Sequence, residues 1–171
     1  MSEIDEKDAI ILNLLQKDCR MPLTAISKHI NLSVDATKKR INKLLKNKIF
    51  YPKIQLRPRK FGFKQIIDVK IKLHNYNEKD FKEFVTYLKA NEKVTEMFSL
   101  SGEWDFSIVL IARDIEDLGF ISEKIRNKFG KIINNWSEST TTFVHKFEEY
   151  DMLKIIKKQK KEGMKNEEHI F

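Results

Sequence analysis

From residue 65 onward the spacing of apolar residues switches between two and three-to-four, twice over, and few folds satisfy that alternation. Ile67, Val69, Ile71 and Leu73 alternate with Asp68, Lys70 and Lys72, which predicts a strand with one buried face. Asn77 is placed to cap a helix lined by Phe81, Phe84, Val85 and Leu88, and Val94 to Leu100 reads as a second strand. Ser101-Gly102-Glu103-Trp104 supplies a hairpin turn into a third strand marked by Phe106, Ile108, Leu110 and Ala112. Asp114 caps a second helix carrying Leu118, Ile121 and Ile125, and Gly130 ends it. A fourth strand is expected across much of 133–147, with Thr141, Phe143, His145 and Phe147 on one face. The order β-α-β-β-α-β predicts a ferredoxin-like sheet. Its helices cover one face only. Strands apolar at alternate positions call for a cover on the bare face, and a second copy of the same sheet, related by a two-fold axis, is the simplest one.

The first 60 residues carry a different period. Ile10, Ile11, Leu14 and Leu15 form one stripe of a helix over about 6–17, with Asp5 as N-cap and Asp8 three residues on. Pro22 suits the start of a short second helix carrying Leu23, Ile26 and Ile30. Asn31 tolerates the left-handed turn that follows, and Ser33 caps a third helix over about 34–46. On that helix Thr37, Ile41, Leu44 and Leu45 fall on one side. Asp35, Lys39, Asn42 and Lys46 fall on the other, flanked by Lys38 and Lys43. Two short helices joined by a three-residue turn, the second with a long basic face, form the helix-turn-helix that lays a recognition helix in the major groove of DNA. Lys28, Ser33, Asp35, Lys38, Lys39, Asn42, Lys43 and Lys46 are the candidate contacts: lysines for phosphates and Asn42 for an adenine edge.

Charge distribution supports this. The net charge of +8 lies in residues 1–60, which alone hold +8, while 61–150 hold −2 and 151–171 hold +2. A uniform lysine bias would have made the middle basic as well. The single cysteine, Cys19, excludes an intramolecular disulfide and a thiolate zinc cluster. An acidic N-terminus and apolar runs no longer than 108–112 disfavour a signal peptide and a membrane span, so a cytoplasmic, nucleoid-associated protein is expected. No catalytic or metal-binding pattern and no cofactor motif is present: His29, His74, His145 and His169 are scattered over separate elements, and no glycine-rich phosphate loop occurs.

The expected organisation is α+β in four parts. Residues 1–50 form a helix-turn-helix, winged-helix-like domain, and Ile49, Tyr51, Ile54 and Leu56 around Pro52 supply two short strands within a connecting segment, 51–63. Residues 64–150 form the ferredoxin-like domain. A basic tail, 151–171, begins with Met152, Leu153, Ile155 and Ile156 at helical spacing and is expected to fray, with an oligomer contact or an extra DNA contact as the other readings.

With both halves in view, the chain resembles the leucine-responsive regulator/AsnC family of transcription factors, the feast/famine regulators, over about residues 4–150. The likeness rests on Ile4-Asp5-Glu6-Lys7-Asp8 through Leu14-Leu15-Gln16-Lys17-Asp18, Arg20, Ile26-Ser27-Lys28, Leu32-Ser33, Arg40-Ile41 and Leu44, and on the hairpin Ser101-Gly102-Glu103-Trp104-Asp105. Cys19 and Asn31 stand where turn glycines are usual, and Pro22 replaces a polar cap. The resemblance implies a DNA-binding regulator with a RAM-type effector domain, a homodimer that assembles further into a homo-octamer. It also implies an amino-acid effector held at Ser101, Gly102, Glu103, Trp104 and Asp105 through main-chain groups and a carboxylate. The residues leave a second reading equally open, in which Gly102 serves the turn and Trp104 packs at an interface.

Other classes remain as alternatives. A sequence-blind architectural DNA binder would need only the lysines. Siroheme decarboxylases share the two-domain architecture, but their histidine-bearing hairpin is not recognisable here. An RNA-recognition motif would need a basic-Gly-aromatic run on the third strand, which Asp105-Phe106-Ser107-Ile108-Val109 does not supply.

Overall fold

The computed structural model describes residues 4–168; the last three residues of the predicted tail, 169–171, lie outside it. The chain divides into two compact units, one formed by residues 1–55 with 146–171 and the other by 56–145.

The first unit holds helices α1 (Glu6–Lys17), α2 (Leu23–Ile30), α3 (Val34–Lys46) and a C-terminal helix α6 (Met152–Glu168). Its start signals are local. Asp5 accepts from the Asp8 N–H at 2.8 Å while the Asp8 carboxylate reaches back to the Asp5 N–H, a reciprocal cap on α1. Pro22 is the N-cap of α2, one residue outside the helix rather than its first residue, and its carbonyl accepts from Ala25 and Ile26. The Ser33 hydroxyl accepts from Ala36 at 3.1 Å and caps α3. Both helices of the turn then end alike. After α2, Asn31 takes φ 51° while Leu32 donates to the Ser27 carbonyl, and after α3, Lys48 takes φ 55° while Ile49 donates to Leu44. These are Schellman closures built without glycine. Ile11, Leu12, Ile26, Ile30 and Leu44 form the core, with Ile10, Leu14, Leu15, Leu32, Ile41 and Met152 packed on it.

Two expectations fail, one in the segment that runs from this unit into the next and one in the tail. The stretch around Pro52 forms no strands: residues 50–57 are irregular, a short 3-10 turn follows at Pro58–Lys60, and Tyr51, Ile54 and Leu56 are exposed, with Ile54 at 75%. Proline within so short a segment removes a ladder donor, and no described strand lies alongside to reward pairing. Nor is the tail a frayed end. Helix α6 packs along α1, burying Ile156 and seating Met152 on the core. The Asn13 side chain accepts from Met152 N–H at 2.9 Å. The Gln16 amide both accepts from Tyr150 N–H and donates to the Tyr150 carbonyl, each at 3.0 Å.

The second unit holds β1 (Gln65–Leu73), α4 (Glu78–Ala90), β2 (Val94–Ser99), β3 (Phe106–Ala112), α5 (Ile115–Phe129) and β4 (Ile133–Thr140). The sheet is antiparallel in the order β2-β3-β1-β4, the ferredoxin-like arrangement. Register fixes its two faces. Ile67, Val69 and Ile71 lie opposite Leu110, Ile108 and Phe106, all buried beneath Phe84, Leu88, Leu118, Ile121, Ile125 and Phe129 of the helices. Phe84 meets Phe106 and Phe129 edge-on, with centroids 5.7 and 5.1 Å apart.

The opposite face is mixed: Ile66, Val109, Ile111 and Phe98 share it with Asp68, Lys70, Lys72, Ser107, Asn135, Ser137 and Ser139, because alternation sends every second residue of each strand to that side. Lys70 donates to the Ser107 hydroxyl at 2.8 Å, and Ser107 donates to Asp68 at 3.1 Å. Strand β4 also ends at Thr140: Thr141, Phe143, His145 and Phe147 lie beyond it, and Phe143 is 68% exposed. Gly130 follows α5 in right-handed conformation, φ −59°, so the helix ends without the left-handed glycine cap expected there.

Candidate nucleic-acid interface and effector loop

The α3 face is built by what it does not bury. Thr37 and Leu44 turn inward, Thr37 with its hydroxyl donated to the Ser33 carbonyl at 2.9 Å, which disposes of the one polar group on the inner side. Ser33, Asp35, Lys38, Lys39, Asn42, Lys43 and Lys46 are consequently all exposed on α3 and its cap, and Lys28 is exposed on α2. All eight candidate DNA contacts therefore belong to one structural unit and are open to solvent. The Ser33 hydroxyl is partly committed to its cap.

Arg40, one of the residues that carry the family likeness, holds this helix in place. Its guanidinium donates to Asp5 at 2.7 Å and to Asp8 at 2.8 Å, joining the start of α1 to the middle of α3. The Asp8 side chain is only 8% exposed and is compensated by Arg40, while Arg40 and Asp5 remain partly open to solvent. Burial raises the Asp5 carboxyl, but the Asp8 N–H and the Arg40 guanidinium outweigh it and hold that group below the usual carboxylate range. Asp5, Asp8, Arg40, Lys39 and Lys43 line one shallow cleft, so the clamp lies beside two of the candidate phosphate contacts. The signal was present as paired aspartates at the cap and third position of α1, three residues apart, with an arginine on a helix whose other cations are all lysine.

In the second unit the Leu100 N–H donates to the Asp105 carbonyl at 2.8 Å and closes the loop 101–104 between β2 and β3. Gly102 takes φ +132°, a conformation side chains rarely adopt, with open space where a Cβ would stand. Ser101, Gly102 and Glu103 are exposed, and Trp104 and Asp105 are half-buried. The Asp105 carboxylate is already engaged. It accepts from the Leu73 N–H at 2.7 Å and from Lys72 at 3.1 Å, extending the β1–β3 ladder one rung past the Ile71–Phe106 pair with a side chain in place of backbone. The Leu73 N–H and the Lys72 ammonium outweigh the effect of burial and hold its carboxyl below the usual carboxylate range. Asp105 thus builds the loop, and the groups it leaves open are the main chain of 101–103, Glu103 and Trp104.

Among the described residues no group of three or more His, Cys, Asp or Glu is placed to hold a metal, and no helix is long and apolar enough to cross a membrane.

Comparison with known proteins agrees with both halves. Residues 4–45 match the AsnC-type helix-turn-helix domain, and residues 66–150 match the Lrp/AsnC ligand binding domain. The chain is 38% identical over 130 residues to the HTH-type transcriptional regulator LrpA of Pyrococcus horikoshii, covering 75% of this chain and 88% of that protein. It is 28% identical over 145 residues to the proline dehydrogenase transcriptional activator of Rhizobium radiobacter, covering 83% and 88%. Among solved structures, an AsnC family transcriptional regulator from Agrobacterium tumefaciens superposes with a TM-score of 0.74 at 22% identity, covering 84% and 93%. A transcriptional regulator from Neisseria meningitidis, solved as its L-Met complex, superposes with 0.76 at 18%, covering 85% and 94%. With both domain models matched over most of its length, and a relative 38% identical over 75% of it, the chain belongs to the Lrp/AsnC family of DNA-binding transcriptional regulators.

Proposed function

We propose that this regulator recognises operator DNA through the outward side of α3. Lys38, Lys39, Lys43, Lys46 and Lys28 contact phosphates, while Asn42, Asp35 and Ser33 face base edges. The observation that carries the reading is the unbroken exposure of these residues on a helix whose inner side is fully satisfied by Thr37, Leu44 and the Arg40 clamp. It acts as a homodimer in the cytoplasm, on the nucleoid, because a two-fold pair of such helices matches a palindromic site. Support for the dimer comes from Phe98, Leu100 and Phe143, exposed on the second unit, and from the Asp68–Lys70 pair on the open sheet face, which is self-complementary under a two-fold axis. An amino acid binds at the 101–105 loop, on the main chain at Gly102 and the Glu103 carboxylate, with Asp105 shaping the site. L-methionine, bound by the Neisseria meningitidis neighbour, is the first compound to titrate.

The test is fluorescence anisotropy on the protein's own promoter fragment and on a shuffled duplex of equal length, across about 50 to 200 mM salt. Six to ten phosphate contacts lower affinity by about 10³ to 10⁵ over that range. A preference for the promoter of about 10³ or more at fixed salt supports specific regulation. Equal affinity for both duplexes favours the architectural reading, which rests on lysines being sequence-blind point charges. Replacing Lys39 and Lys46 together with alanine is expected to weaken binding by more than about tenfold and lower the salt slope by about 2, with the oligomeric state unchanged. Unchanged affinity would remove α3 from the interface.

A further inference from the structure

Helix α6 lies beyond the region shared with the family, which ends at residue 150, yet it is built into the DNA-binding unit. At 100° per residue, Met152 and Ile156 mark one side of α6, and both are the residues that pack inward. Lys154, Lys157, Lys158 and Lys161 then fall on the opposite side and are exposed. From 151 to 161 the chain carries five lysines against the single acid Asp151, a net +4 in three turns. Lys154 reaches Asp151 at 3.3 Å, but the exposed row keeps a concentrated excess of positive charge, which attracts an external polyanion. Residues 146–171 share their unit with α3, the other concentrated cationic face of the chain.

From this placement we propose that α6, docked on α1, is a second phosphate-binding element of the DNA-binding unit, gripping the duplex backbone outside the contacts made by α3. The inference rests on the α3 reading above and adds a sequence-independent contact to it. Point-charge lysines on a helix face carry affinity and no base readout, so α6 raises binding to every duplex by the same factor.

The experiment uses the full chain carrying Lys157→Gln, Lys158→Gln and Lys161→Gln, substitutions that keep good helix formers on an exposed face. Each phosphate contact contributes about 0.9 to the salt slope, so a fall of about 2 to 3 is expected. Affinity should drop by about tenfold or more on promoter and shuffled duplexes alike, leaving their ratio unchanged. An unchanged slope in this variant, with binding lost on replacing Lys39 and Lys46, overturns the α6 proposal and leaves the α3 reading standing. Binding retained when Lys39 and Lys46 are replaced fails the α3 reading itself. A second variant, Ile156→Asp, keeps every lysine and undocks the helix. Loss of most of the same slope is expected, and full retention would show a charged tether acting without its seat on α1, which overturns the docked element.

Discussion

Arg40 is the side chain on which the geometry of the reading head turns. Removing it leaves Asp8, 8% exposed, and Asp5 facing each other without a cation. Breaking a buried pair by removing one partner costs about 3 to 5 kcal/mol, and since Asp5 and Arg40 are partly open to solvent, Arg40→Met is expected to cost about 2 to 3. Urea unfolding followed by far-ultraviolet circular dichroism would measure it, and the double variant with Asp8→Asn should lose less than the sum of the two singles. The pH dependence has a definite sign. The Asp5 carboxyl is held lower in the folded chain than when unfolded, so its stabilisation is present above about pH 4 and disappears as the pH falls through the folded value. Arg40→Met should flatten that acid limb, and an acid limb as steep as the parent's would show the clamp carries no such linkage. At Lys48 a side chain occupies φ 55° where glycine would be unstrained. Lys48→Gly is expected to raise the stability of the first unit by about 1 kcal/mol in the same assay, by relieving that strain while Ile49 keeps its hydrogen bond to Leu44. A loss would mean the lysine side chain contributes more than its backbone conformation costs.

At the scale of elements, legibility followed whether the signal was local. The three N-terminal helices, both capping residues of α4 and α5, and the alternation in β1 and β3 stand in the sequence because cap and period lie within a few residues. What failed depended on partners distant in the chain. Residues 141–147 alternate as well as any strand, but β1 stops pairing with β4 at Ile67–Thr140, and alternation without a neighbour forms no ladder. The mixed open face follows from the same alternation that marks the buried one, with Ile66, Asp68, Lys70 and Lys72 at the intervening positions of β1. Docking of α6 left a trace that the one-stripe reading of α1 passed over. Ala9, Ile10, Ile11, Leu12, Leu14 and Leu15 run apolar around more than one stripe, as a helix covered from two sides does. The α3 face was legible because exposure is the default for lysine, whereas the Asp105 rung was not, since a carboxylate that completes a sheet looks in sequence like one that waits for a ligand.

Across the whole molecule, the two units have separate hydrophobic cores with no residue in common, and this sets how the chain should unfold. Ile26 is buried in the first core and Phe84 in the second. Truncating either to alanine removes about 2 to 5 kcal/mol from its own core through lost transfer energy and the cavity left behind. The tryptophans make the two units separately visible, because both Trp104 and Trp136 lie in the second unit while helices lie in each. Tryptophan fluorescence therefore follows 56–145 alone, and circular dichroism at 222 nm follows both. In urea, Ile26→Ala should lower the midpoint of the helical signal and abolish DNA binding early, while the fluorescence midpoint stays where it was; Phe84→Ala should shift the fluorescence. A fluorescence midpoint that moved with Ile26→Ala would show the two cores melting as one cooperative unit. In that case an effector held at the 101–105 loop would stabilise the DNA-binding unit by mass action alone, by RT ln(1 + [L]/Kd), without altering its shape. If the midpoints separate, stabilising the loop unit leaves the other unit's folding untouched, and any effect of the ligand on DNA binding has to be exerted through the arrangement of folded units.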